Sequence, residues 1–157
     1  NIALSTDIMV GFPGESEEDF LDTLDLVKKV EYDTAFTFIY SVRENTPAAN
    51  RTDQVLDKVK HDRFERLLDV LYPIQERKNK AFIGKDVDVL VEDISKKNES
   101  KVSGRTDEFK LVNFKGDKSD VGNIIKVRIK DANSFSLVGE KIESWKINSN
   151  DAAISCC

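Results

Sequence analysis

The spacing of hydrophobic positions changes once along the chain, and the change predicts two regions of different architecture. Up to about residue 83, apolar residues form short runs or recur at helical spacing. From Lys85 onward, apolar and polar residues alternate in short segments, which is the pattern of half-buried strands. We therefore expect an α/β region followed by an all-β region.

The α/β region begins with the pattern of a strand, a helix and a second strand. Residues 2–10 and 35–40 are apolar and rich in β-branched or aromatic residues, as buried strands are. Between them, Ser16 and Asp19 stand in capping-box positions at the start of a helix over 16–30. This order predicts a parallel βαβ unit. Because two strands and one helix cannot cover their own faces, we expect one face of the strands to be exposed or to meet the rest of a larger barrel.

A long helical pattern follows after a loop. Residues 41–52 show no periodic pattern, whereas apolar residues recur at helical spacing from Asp53 to about Phe82. Pro73 lies inside this stretch. Since proline removes a backbone donor and clashes with the preceding turn, we expect a kink or a break there. Gly84 is expected to end the helix.

Five strand patterns, separated by glycines, fill most of the region after residue 84. Five short strands in so short a segment are typical of a small antiparallel barrel. Residues 144–157 have no periodicity and are expected to form a tail. The expected strands lie at 86–92, 101–106, 110–114, 124–130 and 134–142.

Composition and charge narrow the class of protein without giving its function. The chain has 157 residues, 39% hydrophobic and 34% charged, which is typical of a folded globular protein. Its net charge of −5 arises in residues 1–83, which hold 11 basic and 16 acidic residues, while residues 84–157 hold 13 of each. No apolar run reaches the ~20 residues of a membrane span, so we expect no membrane partner.

Few residues could bind a metal or act as nucleophiles. Cys156 and Cys157 are the only cysteines and are adjacent, which excludes an internal disulfide framework or a CxxC metal site. His61 is the single histidine, so no His-based triad can form. We therefore assign no catalytic residue and no metal ligand in this chain.

The turn after the first strand is a candidate binding site. Gly11 and Pro13 lie between a strand and a helix N-terminus, where backbone N–H groups can meet an anion or an adenine edge. Arg43 follows the next parallel strand and is expected at the same edge, where a guanidinium can bind a carboxylate or a phosphate. A tight structural turn and a solvent-exposed loop arginine also account for these residues, and both interpretations stay open.

Cations alternate with aliphatic residues in the strand predicted at 124–130. Lys126, Arg128 and Lys130 are therefore expected on one outer face. Such a face can bind the backbone of single-stranded nucleic acid, with aromatic side chains as stacking platforms. An ordinary solvated strand face has the same pattern, and both interpretations stay open. Other basic candidates are Lys96, Lys97, Lys101 and Arg105, and the aromatic candidates are Phe109 and Phe114, the latter expected in the core from its strand spacing.

The first part of the chain resembles the C-terminal part of the radical-SAM methylthiotransferases. Residues 5–15, which read Ser-Thr-Asp-Ile-Met-Val-Gly-Phe-Pro-Gly-Glu, and residues 17–20 are similar to a late strand of that family's barrel and its following helix. Residues 35–41 and 46–49 are similar to the next strand and its loop.

The second part resembles the TRAM domain, a small RNA-binding barrel that these enzymes carry. The similarity extends over residues 84–140. Within it, residues 95–97, 104–106 and 110–114 resemble the MiaB branch of the family, which acts on tRNA. In total the resemblance covers about residues 1–143.

The resemblance implies a fold class of α/β plus all-β in four segments. Residues 1–47 would be a partial βαβ piece of a TIM-like radical-SAM barrel, and residues 48–83 a connecting helical segment. Residues 84–143 would form the OB-like TRAM barrel, followed by the tail.

The resemblance also implies the activity of a longer protein. Members of this branch add a methylthio group to isopentenyl-adenosine beside the tRNA anticodon, in the cytoplasm, using S-adenosylmethionine and two 4Fe-4S clusters. The cluster-binding CxxxCxxC motif is absent here. We therefore expect a missing N-terminal part of the same protein to hold the clusters, and this chain alone to bind no cofactor and to be inactive.

Residue roles follow from the same resemblance. Gly11, Pro13 and Arg43 would border the cofactor or substrate cavity. The tRNA anticodon stem-loop would contact Lys96, Lys97, Arg105, Lys110, Lys126 and Arg128. Two alternatives remain at this point: a sister enzyme that modifies an aspartate of a ribosomal protein, and a non-catalytic RNA-binding module.

Overall fold

The computed structural model of the chain describes residues 2–94 and 100–142. These residues form two compact units. The first contains the chain up to Ile83 together with Asp131–Leu137, and the second contains Gly84–Lys130 and the described residues from Val138 onward. The elements are β1 (Ser5–Val10), α1 (Glu17–Val30), β2 (Thr34–Ile39), a 3-10 turn (Pro47–Asn50), α2 (Asp57–Lys80), β3 (Asp86–Ile94), β4 (Lys101–Arg105), β5 (Leu111–Lys115), a second 3-10 turn (Lys118–Asp120), β6 (Ile124–Ala132) and β7 (Leu137–Lys141).

In the first unit, β1 and β2 form the expected parallel pair. The register runs from Ser5 opposite Thr34 to Val10 opposite Ile39. Apolar side chains from α1 and α2 pack with one face of this pair. The buried residues of this core are Ile8, Val10, Phe20, Leu24, Val27, Leu67 and Leu71.

The opposite face of the pair is apolar and exposed, as the βαβ pattern predicts. Phe36 and Phe38 are 60% and 49% exposed, and Met9, which lies opposite Phe38, is 51% exposed. Side chains alternate between the two faces of a strand, so these three share the face that the helices leave uncovered. In the described part of the chain, the first unit covers only one side of its sheet.

Helix α1 begins at the capping box that the sequence predicts. Asp19 N donates to Ser16 Oγ at 3.1 Å, and Ser16 N donates to Asp19 Oδ2 at 2.8 Å. The Ser16 hydroxyl also donates to this carboxylate, and these bonds hold the pKa of Asp19 below its usual range. Two donors at the helix start are thereby satisfied. The helix ends at Glu31, whose φ of 52° is left-handed and stops the helical turn.

Of the two outcomes expected at Pro73, a kink or a break, the break does not occur, because helix α2 is continuous from Asp57 to Lys80. Pro73 and Asp69, whose carbonyl loses its helical partner, are both exposed, so water can satisfy the freed oxygen. On the other side of the helix, Leu67 and Leu71 are buried at 0% and 1% exposure. Burial of these leucines offsets the loss of one hydrogen bond.

The second unit is a closed barrel with strand order β3-β4-β5-β7-β6. Strand β3 pairs antiparallel with β4 and with β6, and β4 pairs antiparallel with β5. Phe114 is 2% exposed and lies in the core, as its spacing predicts. The other fully buried aliphatic residues of the barrel strands are Val89, Val91, Val102, Val112, Val127, Ile129 and Leu137. The expected class, an α/β piece followed by a small OB-like barrel, is confirmed.

Strand β7 is shorter than the pattern at 134–142 predicts, because a local turn precedes it. Asn133 Oδ1 accepts hydrogen bonds from the amides of Phe135 and Ser136 at 2.8 and 2.9 Å. Asparagine side chains that bond nearby amides in this way form turns in place of strand pairing. The strand therefore begins only at Leu137.

At Gly104, strands β3 and β4 lie too close together to leave room for a side chain. It lies opposite Val91, where the register shifts between Val91 and Asp93. A Cβ on Gly104 would overlap the carbonyl oxygen of Leu90 and lie 2.7 Å from Cγ1 of Val89. A glycine at this position is therefore required for the two strands to pair at this distance.

We expect Gly104→Ala to destabilise the barrel, because the new methyl group meets backbone that cannot move without breaking strand pairs. The expected loss in free energy of unfolding is about 1–3 kcal/mol, as for overpacked interiors. Urea denaturation measures it. The control is the neighbouring Ser103→Ala, for which we expect a change within about 0.5 kcal/mol. Equal stabilities of the two variants would contradict this account of Gly104.

Candidate nucleic-acid interface

The cations of β6 lie on the outer face of the barrel, and each is paired with a carboxylate. Arg128 forms two bonds to Asp86, from Nε to Oδ1 at 2.6 Å and from Nη2 to Oδ2 at 2.8 Å. Lys126 Nζ lies 2.8 Å from Asp88 Oδ1, and Lys130 Nζ lies 3.0 Å from Glu140 Oε2. The face is thus a ladder of cross-strand ion pairs with little net charge.

The ion pairs on this face shift the pKa values of Asp86, Arg128 and Lys126. Hydrogen bonding to Arg128 holds the pKa of the Asp86 carboxyl below its usual range. Hydrogen bonding to Asp86 and Asp88 raises the pKa of Arg128 and of Lys126, respectively. These shifts favour the charged forms of Asp86, Arg128 and Lys126 near neutrality, so ionic attraction maintains the pairs there.

The carboxylate partners were not expected, although the sequence contains their signal. Asp86 and Asp88 alternate with valines in β3 as the cations alternate in β6. Strand pairing places Asp86 opposite Arg128 and Asp88 opposite Lys126. The two alternations could be matched only once the pairing of β3 with β6 and its register were known.

Two other candidates, Arg105 and Phe109, come together at the loop between β4 and β5. The guanidinium carbon of Arg105 lies 4.4 Å from the centroid of the Phe109 ring. Arg105 Nε also lies 3.3 Å from Glu92 Oε2. Phe109 is 69% exposed, so most of its ring faces solvent.

Lys110, another predicted RNA contact, is not part of this exposed surface. Lys110 is only 4% exposed. It directly precedes β5 and has the same alternation as the buried residues Val112 and Phe114 of that strand. Lys96 and Lys97 lie outside the described residues.

In the first unit, the predicted turn is closed by its own hydrogen bonds. Gly11 N donates to Glu15 Oε2 at 2.9 Å, Gly14 N donates to Asp53 O at 2.9 Å, and Glu15 N donates to Phe12 O at 2.9 Å. These three amides are therefore not available to an anion or an adenine edge, and Pro13 is buried. The geometry is that of a tight structural turn.

Arg43 lies after β2, at the same edge of the sheet as this turn. Tyr40 N donates to Val10 O at 2.9 Å, which extends the parallel pairing to the two loop entrances. Arg43 is exposed, and no ion pair of its side chain is present among the described residues. It is the candidate at this edge whose charge remains open to a ligand.

A buried arginine that was not expected from the sequence holds the turn. Arg63 of α2 donates from Nη1 to Glu15 O at 3.0 Å and to Glu15 Oε1 at 2.7 Å. Its Nε donates to Glu17 Oε2 at 3.3 Å. The side chains of Arg63 and Glu15 are 5% and 15% exposed. Since Glu15 also accepts from Gly11, one carboxylate links the end of β1 to α2.

Lys60 fills the space beside this turn. Its stem lies against Gly11 so closely that a Cβ there would overlap it, and its Nζ lies 5.5 Å from the centroid of the Tyr40 ring. The Lys60 side chain is 7% exposed. Neither Lys60 nor Arg63 stands out in sequence, because their burial depends on contacts across the fold.

The described residues contain no group of three or more His, Cys, Asp or Glu side chains that could hold a metal ion. Cys156 and Cys157 lie outside them. None of the described helices has the length and apolar character needed to cross a bilayer.

Comparisons with known proteins agree with this architecture. Residues 80–142 match the TRAM domain family. The chain is 61% identical over 142 residues to the tRNA-2-methylthio-N(6)-dimethylallyladenosine synthase of Clostridium botulinum strain Hall, and the match covers 90% of this chain and 32% of that protein. Proteins of the same name from Clostridium tetani and Alkaliphilus oremlandii are 54% and 53% identical, with 31% and 30% of their lengths covered.

These matches confirm the resemblance to the C-terminal part of the methylthiotransferases that was expected from the sequence. The chain contains a TRAM domain and spans about a third of the length of the curated relatives it matches. The relatives' names concern tRNA, and neither a ribosomal-protein enzyme nor a non-catalytic module is supported by them.

We expect Arg128→Ala to raise the pKa of Asp86 toward its ordinary value of 3.8, because the guanidinium that stabilises the carboxylate is removed. In the unaltered chain the pKa is depressed, so the stabilisation from this pair is present at neutral pH and is lost as the pH falls through the lowered pKa. NMR titration of the Asp86 carboxyl measures the difference. Lys130→Ala, which removes the cation paired with Glu140, is the control. Identical Asp86 titrations in Arg128→Ala and in the unaltered chain would contradict the pairing.

We expect Arg63→Ala to cost about 3–5 kcal/mol of unfolding free energy, as when one partner of a buried ion pair is removed. The cause is that the Glu15 carboxyl loses its partner in a site with little access to water. Chemical denaturation of the full chain measures the loss. The control is Arg66→Ala, whose side chain is 37% exposed, and for which a much smaller loss is expected because solvent screens its ion pairs. A cost for Arg63→Ala no larger than that of Arg66→Ala would show that the pair is not a structural constraint.

Proposed function

We propose that this chain is the tRNA-binding part of an enzyme that adds a methylthio group to dimethylallyl-adenosine beside the tRNA anticodon. The observation that carries the proposal is the 61% identity to a synthase of that name over 142 residues, together with the TRAM barrel. A tRNA substrate would place the protein in the cytoplasm. The barrel would bind the anticodon stem-loop, and the first unit would form part of the catalytic barrel.

The complete enzyme would use S-adenosylmethionine and two 4Fe-4S clusters, which supply the radical and the sulfur. The described residues do not fit a cluster, since no group of possible metal ligands is present among them. At the edge formed by the ends of β1 and β2, the turn amides are already bonded. Gly11 and Pro13 would therefore form part of the wall of the cofactor or substrate cavity without donating hydrogen bonds from the turn amides. Arg43 would place a positive charge at the border of the same cavity. No reaction step is assigned to residues of this chain.

RNA binding by β6 would require its cations to exchange partners. The side chains of Lys126 and Arg128 are about half exposed, and those of their partners Asp88 and Asp86 are 63% and 37% exposed. Solvent-exposed ion pairs contribute little to stability, so a phosphate can compete with Asp86 or Asp88. Release of counterions from the RNA would then favour the complex at low salt.

The test is binding of the whole chain to an anticodon stem-loop that carries dimethylallyl-adenosine, titrated over a range of salt concentrations. We expect the double variant Lys126→Ala with Arg128→Ala to bind more weakly. It should also reduce the slope of log affinity against log salt by about 0.7 for each phosphate that the protein no longer neutralises. Asp86→Asn with Asp88→Asn should have the opposite effect, because it removes the competing carboxylates. Fluorescence anisotropy with labelled RNA measures all of these.

A matched control removes two other cations. Lys29→Ala with Lys80→Ala changes the net charge by the same amount, and each lysine is exposed and paired within its own helix. Affinity unchanged in this control and lowered in the β6 variant would locate the phosphate contacts on β6. Equal effects of the two double variants would mean that only net charge matters, and no binding by the unaltered chain at low salt would refute the proposal.

A further inference from the structure

The loop between β4 and β5 exposes a phenylalanine in a backbone conformation that is unfavourable for it. Phe109 has a φ of 64°, and bulky side chains rarely adopt this left-handed region. Its amide donates to Thr106 O at 2.9 Å, and Thr106 N donates to Lys110 O at 3.1 Å, which fixes the loop. Glycine or asparagine would adopt this conformation at lower cost. With 69% of the residue exposed, folding alone gives no reason for a phenylalanine here.

The guanidinium of an arginine packs against the Phe109 ring. The guanidinium carbon of Arg105 lies 4.4 Å from the ring centroid, and Nη1 donates to Phe109 O at 3.4 Å. Glu92 holds the same guanidinium through its Nε at 3.3 Å. The guanidinium therefore packs against the ring, while most of the Phe109 residue stays exposed to solvent.

The charges around this ring disfavour a phosphate. Arg105 is already paired with Glu92, and two more carboxylates, Asp107 and Glu108, lie in the same loop. Burial and the neighbouring Asp107 raise the pKa of Glu108, as expected where negative charges are crowded. The uncharged face of a nucleobase meets no such repulsion.

Given the proposed binding of RNA, we propose that Phe109, supported by Arg105, is a stacking platform for one unpaired nucleobase. Stacking on an aromatic ring accepts any base and requires that base to be out of a duplex. The barrel would then have two kinds of contact. The cations of β6 would bind the backbone with a strong dependence on salt, while Phe109 would bind a base with little dependence on salt.

The left-handed backbone of Phe109 makes it possible to remove the ring without destabilising the fold. Phe109→Asn removes the ring and relieves the left-handed strain, so the variant should be at least as stable as the unaltered chain and yet bind RNA more weakly. We expect a loss of roughly tenfold in affinity for a labelled stem-loop RNA, with the salt slope unchanged. Phe109→Trp should retain binding, because indole offers a larger stacking surface. A fluorescent adenine analogue in the loop of the RNA should be quenched by the unaltered chain and by Phe109→Trp, and not by Phe109→Asn.

The matched control is Phe135→Asn, which removes another phenylalanine of similar exposure, 67%, from a different loop. It should leave affinity and quenching unchanged. A fully paired duplex of the same composition should bind the unaltered chain and Phe109→Asn equally.

The outcomes separate this proposal from the one it rests on. If the unaltered chain binds the stem-loop and Phe109→Asn binds it equally well, the stacking platform is wrong and the proposed RNA-binding function stands. If Phe109→Trp loses as much affinity as Phe109→Asn, or if Phe135→Asn loses as much, a specific stacking role for Phe109 is also wrong. If the unaltered chain binds no RNA at low salt, both proposals fail.

Discussion

The ion pair between Arg63 and Glu15 is the constraint on which the first unit depends. A buried charge is tolerated only when it is paired and hydrogen-bonded, and both conditions are met here by groups from three different segments. Arg63 comes from α2, Glu15 from the turn before α1, and Gly11, which donates to the same carboxylate, from the end of β1. The position of the turn is therefore fixed by α2, which follows it by more than forty residues. This explains why the turn amides are satisfied within the protein.

The barrel depends on a different constraint, the distance between paired strands. Its interior is filled mostly by valine and isoleucine, and strand β3 pairs on one side with β4, where Gly104 permits close contact, and on the other with β6. The outer face of β6 is stabilised by pairs of opposite charge at matching positions, which is the usual way in which cross-strand neighbours contribute. Closure removes the open strand edges that would otherwise promote aggregation. The surface that remains for a ligand consists of side chains and loops.

Much of this fold could be predicted from sequence because its signals are local. Ser16 and Asp19 form the predicted capping box, and the change to a repeat of two predicted the barrel strands. What could not be predicted depends on contacts between distant residues. The burial of Lys110, the pairing of Asp86 with Arg128 and the clamp around Glu15 all require knowledge of which elements meet. That α2 does not break at Pro73 could not be predicted for a related reason, since the outcome of a proline in a helix depends on which side of the helix packs.

The neutral ladder on β6 bears on how a barrel with no excess of positive charge could bind RNA. Each cation of the ladder is paired with a carboxylate, so it would have to exchange this partner for a phosphate of the RNA. The carboxylates also oppose non-specific binding of polyanions, because a phosphate must displace the carboxylate at each ion pair of the ladder. A surface of this kind favours ligands that align several phosphates with the ladder over ligands that offer charge alone. In the proposed complex with RNA, affinity would thereby be exchanged for selectivity.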